Sequence, residues 1–235
     1  MKFASLLALL AACTVALVAS AAQRVFIFDG DSTTAGAGDS FGGSFGTASN
    51  LAYQCQFYPA FQGRFITNFA ISGTGLFTDE GDPPGLINRM TNYYNGSYNY
   101  WTTFKPTPST NSTFIFMIGV NDMDIDPASL VDWAATWRQA CKLMRTNGFV
   151  VVASTMTLSY VSERAHSNLL WFNQLIRTET TNYDLLQDSA AVLPNPNDST
   201  MYNGLHPTML GVSLLASNLN RILSGYDRKV FLIKF

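Results

Sequence analysis

Charged side chains are scarce in this chain: Asp, Glu, Lys and Arg make up 13% of it and the formal net charge is only -2, where soluble proteins carry roughly 25% charged residues. With no basic cluster to neutralise phosphates, the sequence excludes nucleic acid as a partner. Internal repeats, linkers and low-complexity tracts are missing too, and with them any sign of a division into several domains. The 235 residues suit one domain with a large core. Histidine is limited to His166 and His206, so chemistry that needs an imidazole has two candidates. Cysteine occurs three times, as Cys13, Cys55 and Cys141.

What is abundant is apolar surface, and the N-terminus accounts for part of it. Lys2 is a minimal positive start, an apolar run follows from Phe3 to Val18, and the small residues Ser20, Ala21 and Ala22 end it. That pattern reads as a cleaved signal peptide over residues 1–22, followed by one domain over 23–235, and it points to secretion. A membrane anchor and a lipidation site at Cys13 are the two rival readings of the same stretch. The small-residue end argues against the first, and the apolar run continuing beyond Cys13 against the second. After cleavage, stable membrane insertion is not expected. Only Cys55 and Cys141 then remain, which in an oxidising compartment suggests one disulfide. Sequons at Asn95, Asn111 and Asn197 are no more than chance supplies and carry no weight.

Five short apolar runs read as buried strands: Arg24 to Asp29, Phe65 to Ile71, Phe114 to Ile118, Phe149 to Ser154 and Tyr183 to Leu186. Helical patterns lie between them. The clearest has Asp126 as N-cap and Pro127 at its first position, with Leu130, Trp133, Trp137, Ala140, Cys141 and Met144 at helical spacing. A second places Ala165, Leu169, Phe172 and Ile176 on one face, and a third, over about 208–224, does so with Val212, Leu215, Leu219 and Ile222. This alternation predicts an α/β sandwich with a mostly parallel sheet, whose active site lies at the strand C-terminal ends. Residues 79–111 break the pattern with Gly, Pro, Asn and Tyr. They read as a long loop whose aromatics either contact substrate or pack the loop down.

Those strand ends carry residues suited to acyl transfer, which needs a nucleophile, a base and donors aimed at an oxyanion. The first strand runs into Gly30-Asp31-Ser32, which presents a hydroxyl above the sheet edge. Gly38-Asp39-Ser40 repeats the tripeptide, but no strand feeds it, so Ser40 reads as a turn residue. The second strand leads to Gly73, whose N–H is open to approach, and the third to Asn121, which offers an amide. His206 stands in a loop just before the last helix, within reach of the same edge. His166, beside the apolar stripe of a mid-chain helix, reads as structural.

Taken together, GDSTTAG around Ser32, NFAISGTG around Gly73, GVND around Asn121 and GLHPTMLG around His206 resemble the SGNH hydrolases, the GDSL esterases and lipases. The order and contexts match over residues 25 to about 223. The resemblance implies a flavodoxin-like three-layer α/β/α sandwich with a mostly parallel five-stranded sheet, no metal or organic cofactor, and ester substrates. It implies Ser32 as nucleophile, His206 as general base, and an oxyanion hole from Ser32, Gly73 and Asn121. In such a sheet, right-handed crossovers put the helices after strands one and three on opposite faces. Cys55 and Cys141 are therefore expected as two separate buried thiols rather than a disulfide.

One position departs from the family pattern. Its members usually carry Asp three residues before the catalytic His, and here that residue is Asn203. An amide carbonyl can orient the ring but gives little charge stabilisation; in the serine-protease triad the same exchange costs about 10⁴ in turnover. Three readings follow: a Ser-His pair with Asn203 as weak orienter, a substitute carboxylate from Asp188 or Asp198, or an acid created by deamidation at Asn203-Gly204. The substrate class stays open among small-molecule, glycan and lipid esters. A catalytically weakened glycan-binding protein on the same scaffold is the alternative function. The tail over 226–235 has no place in the family pattern and reads as an extra element packed on the sheet.

Overall fold

A computed structural model describes residues 24–36, 50–76, 85–87, 112–158 and 162–233. The signal-peptide reading, Ser40, the sequons at Asn95 and Asn111, and nearly all of the aromatic loop lie outside the described residues. Five strands, β1 (Val25–Gly30), β2 (Phe65–Asn68), β3 (Thr113–Met117), β4 (Val150–Ser154) and β5 (Leu185–Gln187), pair in the order β2-β1-β3-β4-β5. Every pairing is parallel. The helices are α1 (Ser32–Ala35), α2 (Leu51–Cys55), α3 (Leu130–Thr146), α4 (Glu163–Thr178), α5 (Ser189–Val192) and α6 (Met209–Ile233). This is the expected flavodoxin-like α/β/α sandwich.

Strand side chains alternate between two cores, as a period of two requires. Ile27, Phe114, Phe116, Val151 and Ala153 face α3 and α4, meeting Trp133, Trp137, Cys141, Leu169, Phe172 and Ile176. Phe26, Phe28, Ile115, Met117 and Val152 face the other way, onto Leu51 and Cys55 of α2 and Val212, Leu215 and Leu219 of α6. Cys55 and Cys141 thus sit on opposite faces of the sheet, and both are buried free thiols. Topology has overruled the disulfide that composition alone suggested. Truncating either buried tryptophan of α3 would cost about 3–5 kcal/mol.

The sequence-read elements shift at their ends for local reasons. Asp126 accepts from Ala128 N at 2.8 Å and opens a short 3₁₀ turn that leads into α3. β2 stops at Asn68 because that side chain turns the chain, accepting from Ala70 N at 3.0 Å and donating to Thr34 O at 3.2 Å. The last helix does not end near residue 224. It runs through Gly225 to Ile233, so the tail is a continuation of α6 rather than a separate element. Glycine in a helix costs about 1 kcal/mol relative to alanine, and here an ion pair from Asp227 to the buried Arg24 ties the extension to the start of β1. Arg24 also donates to Thr113 Oγ1 at 3.2 Å. Among the described residues no helix is long and apolar enough to cross a membrane.

One glycine decides how β1 ends. Gly30 has φ 153, and a Cβ placed there would stand 2.2 Å from Met117 O and 2.5 Å from Thr34 Oγ1. The backbone of β3 cannot retreat without breaking the sheet. Gly30→Ala is therefore expected to lower stability by about 3 kcal/mol, read as a fall in the urea midpoint at unchanged slope. A variant within about 0.5 kcal/mol of the parent would contradict the close approach.

Candidate active site

Strand order reverses between β1 and β3, since the chain leaves β1 for β2 on one side and reaches β3 on the other. Such a switch point opens a crevice at the strand C-terminal ends. Ser32 follows β1 directly, and Asn121 lies in the 3₁₀ turn Val120–Asp122 that follows β3. Both line a cavity of about 170 Å³ together with His206; Val120, Ala165 and Leu205 supply apolar wall and Asp124 a carboxylate.

Ser32 opens α1, a helix capped by its own neighbour: Asp31 accepts from Thr33 N at 3.0 Å. Gly36, with φ 94, closes it by donating to Ser32 O at 2.9 Å. Ser32 stands at the first position of this single turn, and the residue is buried.

His206 arrives from the far end of the chain. Tyr202–Asn203 pairs antiparallel with His206–Pro207, with Asn203 opposite His206. Gly204 (φ 61) supplies the left-handed backbone that a two-residue hairpin loop needs. The buried Tyr202 anchors the hairpin by donating to Leu193 O at 3.0 Å, and Thr208 N, donating to Met201 O at 2.8 Å, leads into α6. The result is a distance of 2.8 Å between His206 Nε2 and Ser32 Oγ, across 174 residues of sequence.

Burial holds the His206 imidazole below its ordinary pKa. A base must be neutral to accept a proton, so turnover that depends on His206 falls as pH drops through that depressed value. The acid limb of kcat/KM is accordingly expected below pH 6.5, the ordinary imidazole value. A limb centred well above 6.5 would show that a carboxylate, rather than burial, governs the ring. The same shift acts on stability: between the folded and unfolded values the unfolded chain binds the extra proton. The contribution of His206 is therefore intact above the ordinary value and lost as pH falls through the folded one.

Gly73 sits in the loop after β2 with φ 82 and nothing within 4 Å of where a Cβ would stand. That loop folds over the end of β1: Ile71 N donates to Gly30 O at 3.1 Å, and Thr74 Oγ1 donates to Ile71 O at 2.9 Å. Asn121 Nδ2 donates to Thr74 O at 2.7 Å, which uses one of its two N–H groups and leaves the second for another acceptor. Asp122, the last residue of that turn, accepts from Leu76 N at 2.6 Å and Trp133 Nε1 at 3.0 Å.

The two upstream aspartates have other employment. Asp188 is gripped by Arg177 at 2.8 and 2.9 Å and by Thr155 Oγ1 at 2.9 Å. Asp198 closes its own turn, accepting from Thr200 N at 2.9 Å and Thr200 Oγ1 at 2.6 Å. Among the described residues no ion pair joins either to His206. Asn203, by contrast, is the residue directly opposite His206; such a pair in an antiparallel ribbon places its Cβ atoms roughly 4.5–5.5 Å apart on one face. His166 lies half-buried on α4, as a structural residue would.

No local signal in the sequence marks Asp31 or Asp122 for a role at the site, or joins Val120, Ala165 and Leu205 into one cavity wall. The two carboxylates were visible in GDS and GVND but carried no sign of which backbone groups they would meet. The wall residues come from three distant segments, and no local pattern joins them.

No protein-family model matches the chain, and no curated protein does. Solved structures do share its fold. A member of the lipolytic G-D-S-L family from Veillonella parvula superposes with a TM-score of 0.66 at 17% identity, covering 86% of this chain and 98% of that one. A catalytic mutant of an acetylxylan esterase from Geobacillus stearothermophilus gives 0.58 at 18% identity, covering 85% and 94%. A psychrotrophic esterase from a Pseudoalteromonas species gives 0.58 at 12% identity, covering 88% and 100%. The chain therefore has the fold of the GDSL lipolytic proteins over 85–88% of its length.

Proposed function

We propose that the protein is a secreted serine esterase of the SGNH type, hydrolysing carboxylic esters through an acyl-enzyme on Ser32. The observation that carries this reading is the 2.8 Å approach of His206 Nε2 to Ser32 Oγ at a cavity that also holds Asn121. A nucleophile, a base and an amide donor converge from three segments, and a pure binding surface needs none of that convergence.

In this reading His206 Nε2 takes the Ser32 Oγ proton as Oγ attacks the ester carbonyl carbon. The carbonyl oxygen becomes an oxyanion, met by the second N–H of Asn121 and the backbone N–H groups of Gly73 and Ser32. Collapse breaks the ester C–O bond, and the imidazolium hands its proton to the leaving alcohol. Water then attacks the acyl-Ser32 carbonyl, His206 again acting as base, and the carboxylic acid departs with Ser32 restored. Burial lowers the imidazole pKa and so favours the neutral form that acts as base. Asn203 orients the ring from across the hairpin without adding a negative charge.

The small cavity, its short apolar wall and the exposed Asp124 carboxylate at its edge favour short acyl groups on polar alcohols. Small-molecule and carbohydrate esters are the substrates this suits; the acetylxylan esterase among the fold neighbours fits the same picture. A fluorophosphonate probe tests the reading directly. It is expected to add one phosphonyl group to Ser32, located by peptide mass, and nitrophenyl acetate is expected to turn over faster than the palmitate ester. Absence of labelling would favour a glycan-binding protein on a hydrolase scaffold.

A further inference from the structure

Asp31 does more than cap the helix behind the nucleophile. Its carboxylate is 1% exposed and accepts from Thr33 N at 3.0 Å and, across the switch-point crevice, from Gly119 N at 3.3 Å. The neighbouring Val120 N–H also favours its charged form. Gly119 and Val120 are the residues immediately before Asn121, so one carboxylate holds the turn that presents the nucleophile and the turn that presents the amide. We propose that Asp31 is a positioning residue for the esterase reaction, setting the separation of Ser32 and Asn121 by gripping the backbone N–H groups of both turns.

This role presupposes the esterase reaction on Ser32, and Asp31 fills it at the cost of burying a carboxylate. Burial pushes Asp31 up to about 6, against the opposing pull of the Thr33, Gly119 and Val120 N–H groups and with a further upward push from nearby Asp122. A folded value above the ordinary one means that ionising Asp31 weakens the fold as pH rises between the two values, and the loss persists above them. A cap alone does not require that cost. Asp126 caps the turn before α3 from an exposed position, accepting from Ala128 N at 2.8 Å. The difference between the two aspartates is the reach of Asp31 to a second loop. From Asn121 the tie continues, since Nδ2 bonds Thr74 O beside Gly73. Asp31 is thus the first link between Ser32 and the other two oxyanion donors, Asn121 and Gly73, and misplacement by about 1 Å at such a site can cost 10²-fold in rate.

The test compares Asp31→Ala, Asp31→Asn and Asp126→Ala, with kcat expressed per site titrated to its endpoint by a fluorophosphonate. Endpoint labelling counts folded sites, whereas labelling rate and kcat report their geometry. Asp31→Ala is expected to lower kcat per labelled site about 100-fold with KM within about threefold of the parent. Asp31→Asn, which keeps one acceptor oxygen and presents an N–H where the other stood, is expected to lose about tenfold and serves if the alanine variant does not fold. Asp126→Ala is expected to lose stability but not kcat. The proposal is overturned if kcat per labelled site stays within threefold of the parent in both Asp31 variants, if Asp126→Ala loses kcat equally, or if the loss lies in KM. Parent protein that takes no label at all overturns the esterase reading itself, and this proposal with it.

Discussion

Ser32→Ala is expected to reduce ester hydrolysis by about 10⁴-fold or more, with the folded structure intact. The hydroxyl adds one heavy atom, and its removal leaves β1, the Asp31 cap and α1 untouched, because the only side-chain bond of Ser32 described is the one to His206 Nε2 at 2.8 Å. The size of the effect follows from how such pairs act: nucleophile and base work as a unit, and removing either removes the covalent route. Whatever rate persists must come from binding and oxyanion donors acting on water. His206→Ala is expected to match Ser32→Ala, and the double variant to be no worse than either. Steady-state hydrolysis of nitrophenyl acetate decides the matter, with circular dichroism as the check on folding. A Ser32→Ala variant that retains a tenth of parental activity would remove Ser32 from the mechanism.

Asn203→Asp is expected to raise kcat by about 10²-fold. Asn203 faces His206 across the hairpin, and Asp188 and Asp198 are engaged by Arg177 and Thr200 rather than by the ring. A carboxylate at 203 would stabilise the imidazolium that forms as Ser32 attacks and would enforce the tautomer with Nε2 ready to accept. The opposite exchange in the serine-protease triad costs about 10⁴. A smaller gain is expected here because the hairpin already holds the ring at 2.8 Å from Ser32. The gain should be accompanied by a higher acid limb, since a nearby negative charge favours the protonated ring. Unchanged kcat would mean that another group already supplies the charge, or that the ring needs none. Peptide mass across Asn203-Gly204 in the parent protein separates this from spontaneous deamidation, because a fraction already converted would mask the effect.

The limits of sequence reading are visible in particular residues. Phe26, Ile27 and Phe28 announce a strand buried on both faces, and the alternation with helical stripes such as Trp133, Trp137 and Met144 is enough to infer the layered sheet. The separation of Cys55 from Cys141 follows from the handedness of the crossovers once the family resemblance supplies the flavodoxin-like sheet. The apolar stripe of the last helix runs out near residue 224, and no local signal reveals that Asp227 beyond it meets Arg24 some two hundred positions away. Asp31 reads in the sequence as part of a motif rather than as a clamp, since its partner Gly119 lies on another strand's loop.

By itself the sequence determined the order of strands and helices, the residue types at each strand end and the absence of an acid at 203. These follow from periodicity and local chemistry, which act over a few residues. Tertiary structure decided that Ser32 and His206 meet, that Asn121 shares their cavity and that Asp31 binds two turns at once. Those facts depend on the reversal of strand order between β1 and β3 and on the hairpin that returns His206 from the far end of the chain. Distances between segments separated by 174 residues are set by the packing of two cores on one sheet, which no local pattern encodes.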